Sequence, residues 1–551
     1  MEPKSPSKSK SPELGFNYNN RIWRISTILF ICMFLLVAGI CVVLKPRKTP
    51  LVRNRSYFTI VIDCGSTGSR VNVYKWIVKS NPSDGGLPVL LHSYPDNSTS
   101  DRMKGRCWYH CLQTEPGLDK WIGNSSGVRA SLEPLILWAK QLIPPHMHEE
   151  TPIFVLATAG LRRLPRKDSR SVMANVEALL KEHRFIYHKK WIRVLTGKEE
   201  AYYGWIALNF KMGTFHYSSR SQRTLGLLDL GGSSLQVVTE IDRPKRDKYY
   251  LRSSIGPFEH HLLAFSLPAF GLNEAFDRTV FMLSHSESLR EGTTSTFEIG
   301  HPCLSPGFVQ NYTCKGCFSE SYADQDVLLR SDSNWKQCRI LARAAAVNSS
   351  SSYWSSIKEG PNGKVICASK KGSMMQKFNK LTHPVARFHA LSGFYAVYKL
   401  LNLSSRANLS KIWEKHQHLC SKPSLNLNSI SSNPRFAAQF CFKVSYMASL
   451  IEDGLCLGKE EIIFGPGDIS WTLGAALVEG QFLWNGSTTA WTHVLALKKF
   501  VVIWSPLLLF ILLAFLLYLV YRSQIKLPML SRKITSVGVM PSYMYPKRRP
   551  N

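Results

Sequence analysis

From residue 57 to residue 241 the chain alternates short β-branched runs with longer stretches of helical period. Tyr57 to Asp63 (YFTIVID) reads as a strand, Val71 to Ile77 as its hairpin partner, and Pro152 to Thr158 (PIFVLAT) as a further strand. Glu199 to Phe210 (EEAYYGWIALNF) predicts a helix opened by acids, where the macrodipole favours them. Leu225 to Ile241 (LGLLDLGGSSLQVVTEI) reads as strand, Gly-rich turn, strand. This alternation predicts α/β architecture rather than a sandwich or a bundle. From Ser286 to Ser356 the chain is richer in Ser, Gly and Cys and loses its period, which predicts a disulfide-pinned insertion.

Two apolar runs are of another kind. Ile25 to Leu44 holds twenty residues without a charge and Phe500 to Tyr521 holds twenty-two, each long enough to cross a hydrocarbon core of ~30 Å. The first exceeds a signal-peptide core of roughly 7–15 residues and no A-x-A site follows, so it reads as a retained anchor. Lys4, Lys8, Lys10, Arg21 and Arg24 precede the first run, and the tail after the second is basic with no acid. The positive-inside rule then places both tails in the cytoplasm. Lys45, Arg47, Lys48, Arg53 and Arg55 blur that signal, and the glycosylation sequons resolve it. Asn54, Asn97, Asn124, Asn311, Asn348, Asn402, Asn408 and Asn485 all lie between the runs and none in the tails, so the middle is expected to be lumenal or extracellular and to carry N-glycans. A twenty-residue first run favours the Golgi over the plasma membrane.

Cysteine usage agrees with an oxidising compartment. Of thirteen, Cys32 and Cys41 lie in the first run and Cys64 in a motif, which leaves ten, compatible with five disulfides whose pairing the sequence does not give. Cys314-x-x-Cys317 has no second pair or His pair at zinc spacing, so a disulfide is the better reading. The net charge of +31 raises nucleic acid as a partner, but no Lys/Arg stripe interleaved with aromatics occurs in the middle, and no nucleic-acid partner is expected.

An internal repeat carries the chemistry. VIDCGSTGSR (Val61 to Arg70) and LLDLGGSSLQ (Leu227 to Gln236) are each an apolar strand ending on Asp, then Gly and hydroxyl residues, then a second strand, with their aspartates 166 residues apart. One strand-Asp-Gly is ordinary turn chemistry. Two, with hydroxyl residues in both loops, suggest related domains facing one cleft. Loops of small residues let backbone N–H groups surround phosphate oxygens, with hydroxyls as added donors. There is no G-x-x-x-x-G-K-[ST], so this is not a Walker loop. An Asp entering each loop suits a hydrated divalent cation. His260-His261 lacks metalloprotease spacing and reads as a surface or loop pair, while Trp205 and Trp471 read as core aromatics.

DCGSTGSR (Asp63 to Arg70), ATAGLR (Ala157 to Arg162), GKEEAYYGW (Gly197 to Trp205), DLGGSSLQ (Asp229 to Gln236), FHALSGFYAVYKLL (Phe388 to Leu401) and GPGDISWTLGAAL (Gly465 to Leu477) together resemble, in order, the characteristic regions of the apyrase or nucleoside triphosphate diphosphohydrolase family. The resemblance spans about Phe58 to Leu477 and is nearest in wording to plant-type, two-span members. It implies an actin-like (ribonuclease H-like) duplicated two-domain α/β fold, to which the two apolar runs add an expected transmembrane helix at each end. It also implies hydrolysis of terminal phosphates of nucleoside tri- and diphosphates with Ca²⁺ or Mg²⁺. Carried over by position, Glu200 matches the general base, with Glu199 the competing acid. Ser234 and Gln236 match residues that position the attacking water, and Asp63 and Asp229 a pair that binds the cation through its waters. Thr158, Gly65, Ser66, Thr67, Gly68, Gly231, Gly232 and Ser233 match phosphate-side positions. The base-stacking residue near Phe394, Tyr395 and Tyr398 stays unassigned.

The expected organisation is a basic tail (1–24), a span (25–44), lumenal domain I (45–196, completed by about 462–490), lumenal domain II (197–461, with the insertion near 286–356), a second span (500–521) and a basic tail (522–551). The competing readings are a diphosphatase restricted to species such as GDP and UDP, a nucleotide-binding glycoprotein without turnover, and a sugar kinase of the same fold. The water-handling set argues against the binder, and the sequons and cysteines against a cytoplasmic kinase.

Overall fold

Ser56–Cys64 carries apolar or β-branched side chains at most positions, and in the computed structural model it forms β1 at the centre of a mixed sheet. The structure describes residues 56–77, 87–95, 112–215, 224–243, 247–255, 258–287, 298–315, 324–347, 387–406, 408–420, 437–458, 460–484 and 515. β2 (Ser69–Ile77) folds back antiparallel on β1, with Asp63 opposite Arg70. β3 (Val89–Tyr94) and β4 (Gln113–Thr114) both pair antiparallel with β2. On the other side β5 (Ile153–Ala157) runs parallel to β1, and β6 (Ile192–Val194) parallel to β5.

The second sheet repeats this plan. β7 (Gly226–Leu230) and β8 (Ser234–Glu240) form an antiparallel hairpin with Asp229 opposite Gln236. β9 (Tyr250–Ser253) and β10 (His260–Pro268) continue antiparallel beyond β8. A separate three-stranded sheet of β11 (Glu298–His301), β12 (Val309–Lys315) and β13 (Asp324–Ser331) then intervenes, although the sequence there shows no strand period. A Cys303–Cys338 disulfide ties it to the helix Trp335–Val347. β14 (Phe388–Ser392) returns parallel to β7, and β15 (Ile462–Phe464) parallel to β14. In both sheets, then, a central strand has antiparallel neighbours on one side and two parallel ones on the other.

The strand period of two decides what each face carries. In β1, Phe58, Ile60, Ile62 and Cys64 pack outward under the helices Ser125–Leu142 and Arg166–Leu180, which turns Val61 and Asp63 inward. In β7, Leu228 and Leu230 pack outward, which turns Leu227 and Asp229 inward. Between the inner faces run the helices Gly197–Lys211 and Trp471–Glu479, both buried on nearly every side, which is why neither shows a polar stripe. Each large side chain there, such as Trp205 or Leu208, contributes about 1.5–3 kcal/mol by burial. The two helices touch at Gly474, where an added Cβ would lie 1.9 Å from the Tyr203 carbonyl oxygen.

One expectation changes. His260 is neither surface nor loop: it is buried on β10, and its Nδ1 lies 2.7 Å from Glu240 Oε1, because strand alternation turns His260 in and His261 out. The apolar runs 25–44 and 500–521 lie outside the described residues, Phe515 excepted, and among the described residues no helix is long and apolar enough to cross a membrane. Trp205 and Trp471 are core side chains.

Candidate active site

Both hairpins close in the same way. The N–H of Gly65 donates to the Gly68 carbonyl at 3.0 Å, and that of Gly231 to the Ser234 carbonyl at 2.9 Å. These two glycines therefore shape the turns with their own N–H groups committed. None of Gly65, Gly68, Gly231 and Gly232 lies at positive φ, so what they supply is room. A Cβ on Gly68 would sit 2.4 Å from the Thr114 carbonyl oxygen. The two loops meet: Ser233 Oγ and Ser66 Oγ are 3.0 Å apart.

The aspartates occupy the penultimate position of their strands, buried on the inner faces beside these loops. Arg70 Nη1 lies 3.5 Å from Asp63 Oδ2, and the same guanidinium donates to Thr67 Oγ1 at 3.3 Å and Gln113 Oε1 at 2.8 Å. Gln236, in the position equivalent to Arg70, donates instead to Ser234 Oγ at 2.8 Å and to Ser266 Oγ at 3.4 Å. Thr158 lies at the end of β5, buried, its N–H on the Cys64 carbonyl at 3.1 Å.

Two consecutive glutamates on the helix Gly197–Lys211 meet different fates, as a turn of about 100° per residue requires. Glu199 is a capping residue: its Oε2 accepts from the Thr196 N–H and hydroxyl, both at 2.8 Å, and it pairs with Arg193. Burial acts to raise its pKa, but the Thr196 donors and the Arg193 guanidinium together hold it below the ordinary value. Glu200 points the other way. It is 8% exposed, and its Oε2 accepts from Arg162 Nη2 at 2.8 Å.

Burial dominates the charges. It pushes Glu200 up to about 7 against the pull of Arg162, with the negative charges of Asp63 and Asp229 adding to the rise. Asp63 is pushed up to about 6 by burial, opposed by Arg70 and assisted by Asp229. Asp229 is raised by burial and lowered by a hydrogen bond from the Ser392 side chain. Ser392 holds that place at φ 54°, an uncommon conformation for a residue with a Cβ.

Three buried carboxylates that repel one another, one with an orphaned oxygen, fit a hydrated divalent cation. The orphan is Asp63 Oδ1, buried with no hydrogen-bond partner. Hard carboxylate oxygens suit Ca²⁺ and Mg²⁺ alike. The cluster of His416, Cys420 and Cys441 offers no such site, because Cys420 and Cys441 form a disulfide.

Arg70 and Arg162 lie inside the quoted motifs, yet sequence reasoning gives them no role. The available signal for Arg70 is the repeat itself, which puts it in the position Gln236 holds in the second hairpin. Of the three aromatics near the fifth motif, Phe394 and Tyr398 are core, and Tyr395 alone keeps an exposed face, its ring against Gly465 and Gly467.

A strand–Asp–Gly hairpin repeated in two sheets, with the two turns in contact and both aspartates inward, defines a duplicated α/β protein. The chain belongs to the GDA1/CD39 (nucleoside phosphatase) family, whose pattern matches residues 50–483. Probable apyrase 7 of Arabidopsis thaliana is 36% identical over 489 residues, covering 86% of this chain and 64% of that protein, so the chain spans less than two thirds of that relative's length. Ectonucleoside triphosphate diphosphohydrolase 7 of Pongo abelii is 25% identical over 484 residues, 77% of this chain and 73% of that protein. A nucleoside triphosphate hydrolase structure from Neospora caninum aligns with TM-score 0.53 at 15% identity, covering 83% of this chain and 97% of that one. The shared fold is the actin-like α/β arrangement.

Proposed function

We propose that the protein hydrolyses the terminal phosphates of nucleoside tri- and diphosphates with a Glu200-activated water. The carrying observation is Glu200 itself: a buried carboxylate held up to about 7, paired with Arg162 and charge-coupled to the aspartates of both loops. A group poised there accepts a proton efficiently near neutral pH. In this reading Ser234 and Gln236 hold the water and Glu200 takes its proton as the oxygen attacks the terminal phosphorus. The anhydride bond breaks, and the nucleotide leaves with one phosphate fewer. Asp63 and Asp229 would hold a Ca²⁺ or Mg²⁺ ion through its waters, and when bound it offsets charge on the transferring phosphoryl group. Ser66, Thr67, Gly68, Thr158, Gly232 and Ser233 line the phosphates, while Gly65 and Gly231 shape the turns.

The same proposal includes the domain organisation set out from the sequence, two spans with both tails cytoplasmic, and a lumenal, Golgi-favoured middle. N-glycosylation is supported by exposure: Asn124, Asn311, Asn402 and Asn408 are all at the surface. The test is phosphate release from a panel of nucleoside tri- and diphosphates by detergent-solubilised protein. Hydrolysis is expected with Ca²⁺ or Mg²⁺ and is lost in EDTA. No release from any nucleotide, or undiminished release in excess chelator, overturns it.

A further inference from the structure

Arg163 follows the ATAGLR segment beside the first sheet, and Glu274 lies in the first turn of the helix Leu272–Glu287 beside the second. Their side chains form an ion pair, Arg163 Nη1 on Glu274 Oε1. The same Glu274 oxygen lies 3.2 Å from Ser233 Oγ, which is in turn 3.0 Å from Ser66 Oγ in the opposite loop. One carboxylate oxygen thus gathers a guanidinium and a loop hydroxyl, hydrogen-bonded onward to the second loop. That is a donor set for a phosphoryl oxygen.

We propose that Glu274 is a built-in stand-in for substrate phosphate: in the empty cleft it holds Arg163 and Ser233, and a nucleoside polyphosphate displaces it and takes over Arg163. The inference rests on the hydrolase reading and adds a positioning residue to it. Displacement is feasible because the pair is open to solvent, with side chains 50% and 26% exposed, where ion pairs are weak. Arginine suits the exchange, since its planar fork matches carboxylate and phosphate alike. The competing account makes Glu274 only a helix-opening acid. That account predicts a slightly weaker helix and unchanged ligand affinity on loss of the charge.

The test is calorimetric titration of the full chain in detergent, with Mg²⁺ and a β,γ-methylene nucleoside triphosphate as probe. Glu274→Gln is expected to tighten binding about three- to tenfold, the scale of one exposed ion pair plus relief of one like charge. Arg163→Gln is expected to weaken binding by a similar factor. Unchanged or weaker binding by Glu274→Gln in a parent that binds and hydrolyses overturns this inference alone. A parent that neither binds nor hydrolyses overturns the hydrolase reading with it. Should Glu274→Gln melt early, Glu274→Asp, which withdraws the carboxylate from Arg163, is read in its place. Tightening is expected again, and its absence refutes the proposal.

Discussion

Replacing Glu200 by Gln separates a catalytic base from a helix-opening acid. The amide keeps the side-chain volume, and its carbonyl oxygen still accepts from Arg162 Nη2, so only the charge and the proton-accepting capacity go. For turnover the expected loss is roughly 10²–10⁴-fold, with nucleotide binding near normal. For stability the sign is opposite. Burial raises Glu200 from 4.5 to about 7, so the folded state binds the proton more tightly than the unfolded chain. Its favourable contribution is full below the unfolded value and is lost as pH rises through about 7. At about pH 8 the buried charge costs on the order of 3 kcal/mol, at ~1.36 kcal/mol per pH unit. In chelator, Glu200→Gln should therefore melt above the parent at about pH 8 and close to it at about pH 4. Glu199→Gln is the internal control: the amide can still close the capping box, so it loses only the negative charge at the helix start, about 0.3–1 kcal/mol of stability, and keeps its turnover. Phosphate release at saturating nucleotide and thermal melts read both quantities. The reasoning is refuted if the Glu199 variant is the dead one, if both turn over like the parent, or if Glu200→Gln melts lower at about pH 8.

Arg162→Met removes the cation that holds Glu200 down, so the acidic limb of the kcat/KM profile should move to higher pH; an unmoved limb disproves the coupling. Gly474→Ala places a methyl against the Tyr203 carbonyl and should cost about 1–3 kcal/mol or more, seen as a lower melting temperature. An unchanged melt would show that the two central helices can part freely. For topology, endoglycosidase should increase gel mobility and protease on sealed microsomes should trim only the tails. A fully protected C-terminal tag rejects the two-span arrangement.

Much of the frame is legible in the sequence, and the reason is local. β1, β2, β5, the β7–β8 hairpin and the helix Gly197–Lys211 lie within two residues of the bounds their patterns predict, because unbroken β-branched runs closed by Gly turns leave few alternatives. The inward direction of Asp63 and Asp229 follows from the same period of two. The contacts that tune the site are not local. Arg162 and Glu200 are 38 residues apart, and Ser392 reaches Asp229 from a strand inserted long after it in the chain. His260 is misread for the same reason, its partner Glu240 lying 20 residues earlier on a neighbouring strand. The three-stranded sheet β11–β13 has one exposed face and irregular composition, so no period announces it.

The two hairpins share a register yet differ in charge, and that difference explains how a duplicated frame supports one reaction. In each, the aspartate faces the residue seven positions on: Arg70 for Asp63, Gln236 for Asp229. The first aspartate therefore has a guanidinium beside it, while the second takes a hydrogen bond from the neutral Ser392 side chain. Were both positions arginine, two cations would flank the carboxylates and compete with any divalent ion. Were both glutamine, three buried carboxylates would share Arg162 as the cation next to Glu200. With one of each, the first loop is electrostatically pinned. The second presents an amide and a hydroxyl, groups that hydrogen-bond water without protonating it, with the amide directly across from Asp229. In the proposed mechanism the attacking water is thus drawn to the second loop, and Gln236→Arg should impair turnover more than nucleotide binding. Equal losses in kcat and in affinity would instead mean that Gln236 acts on the phosphates rather than on the water.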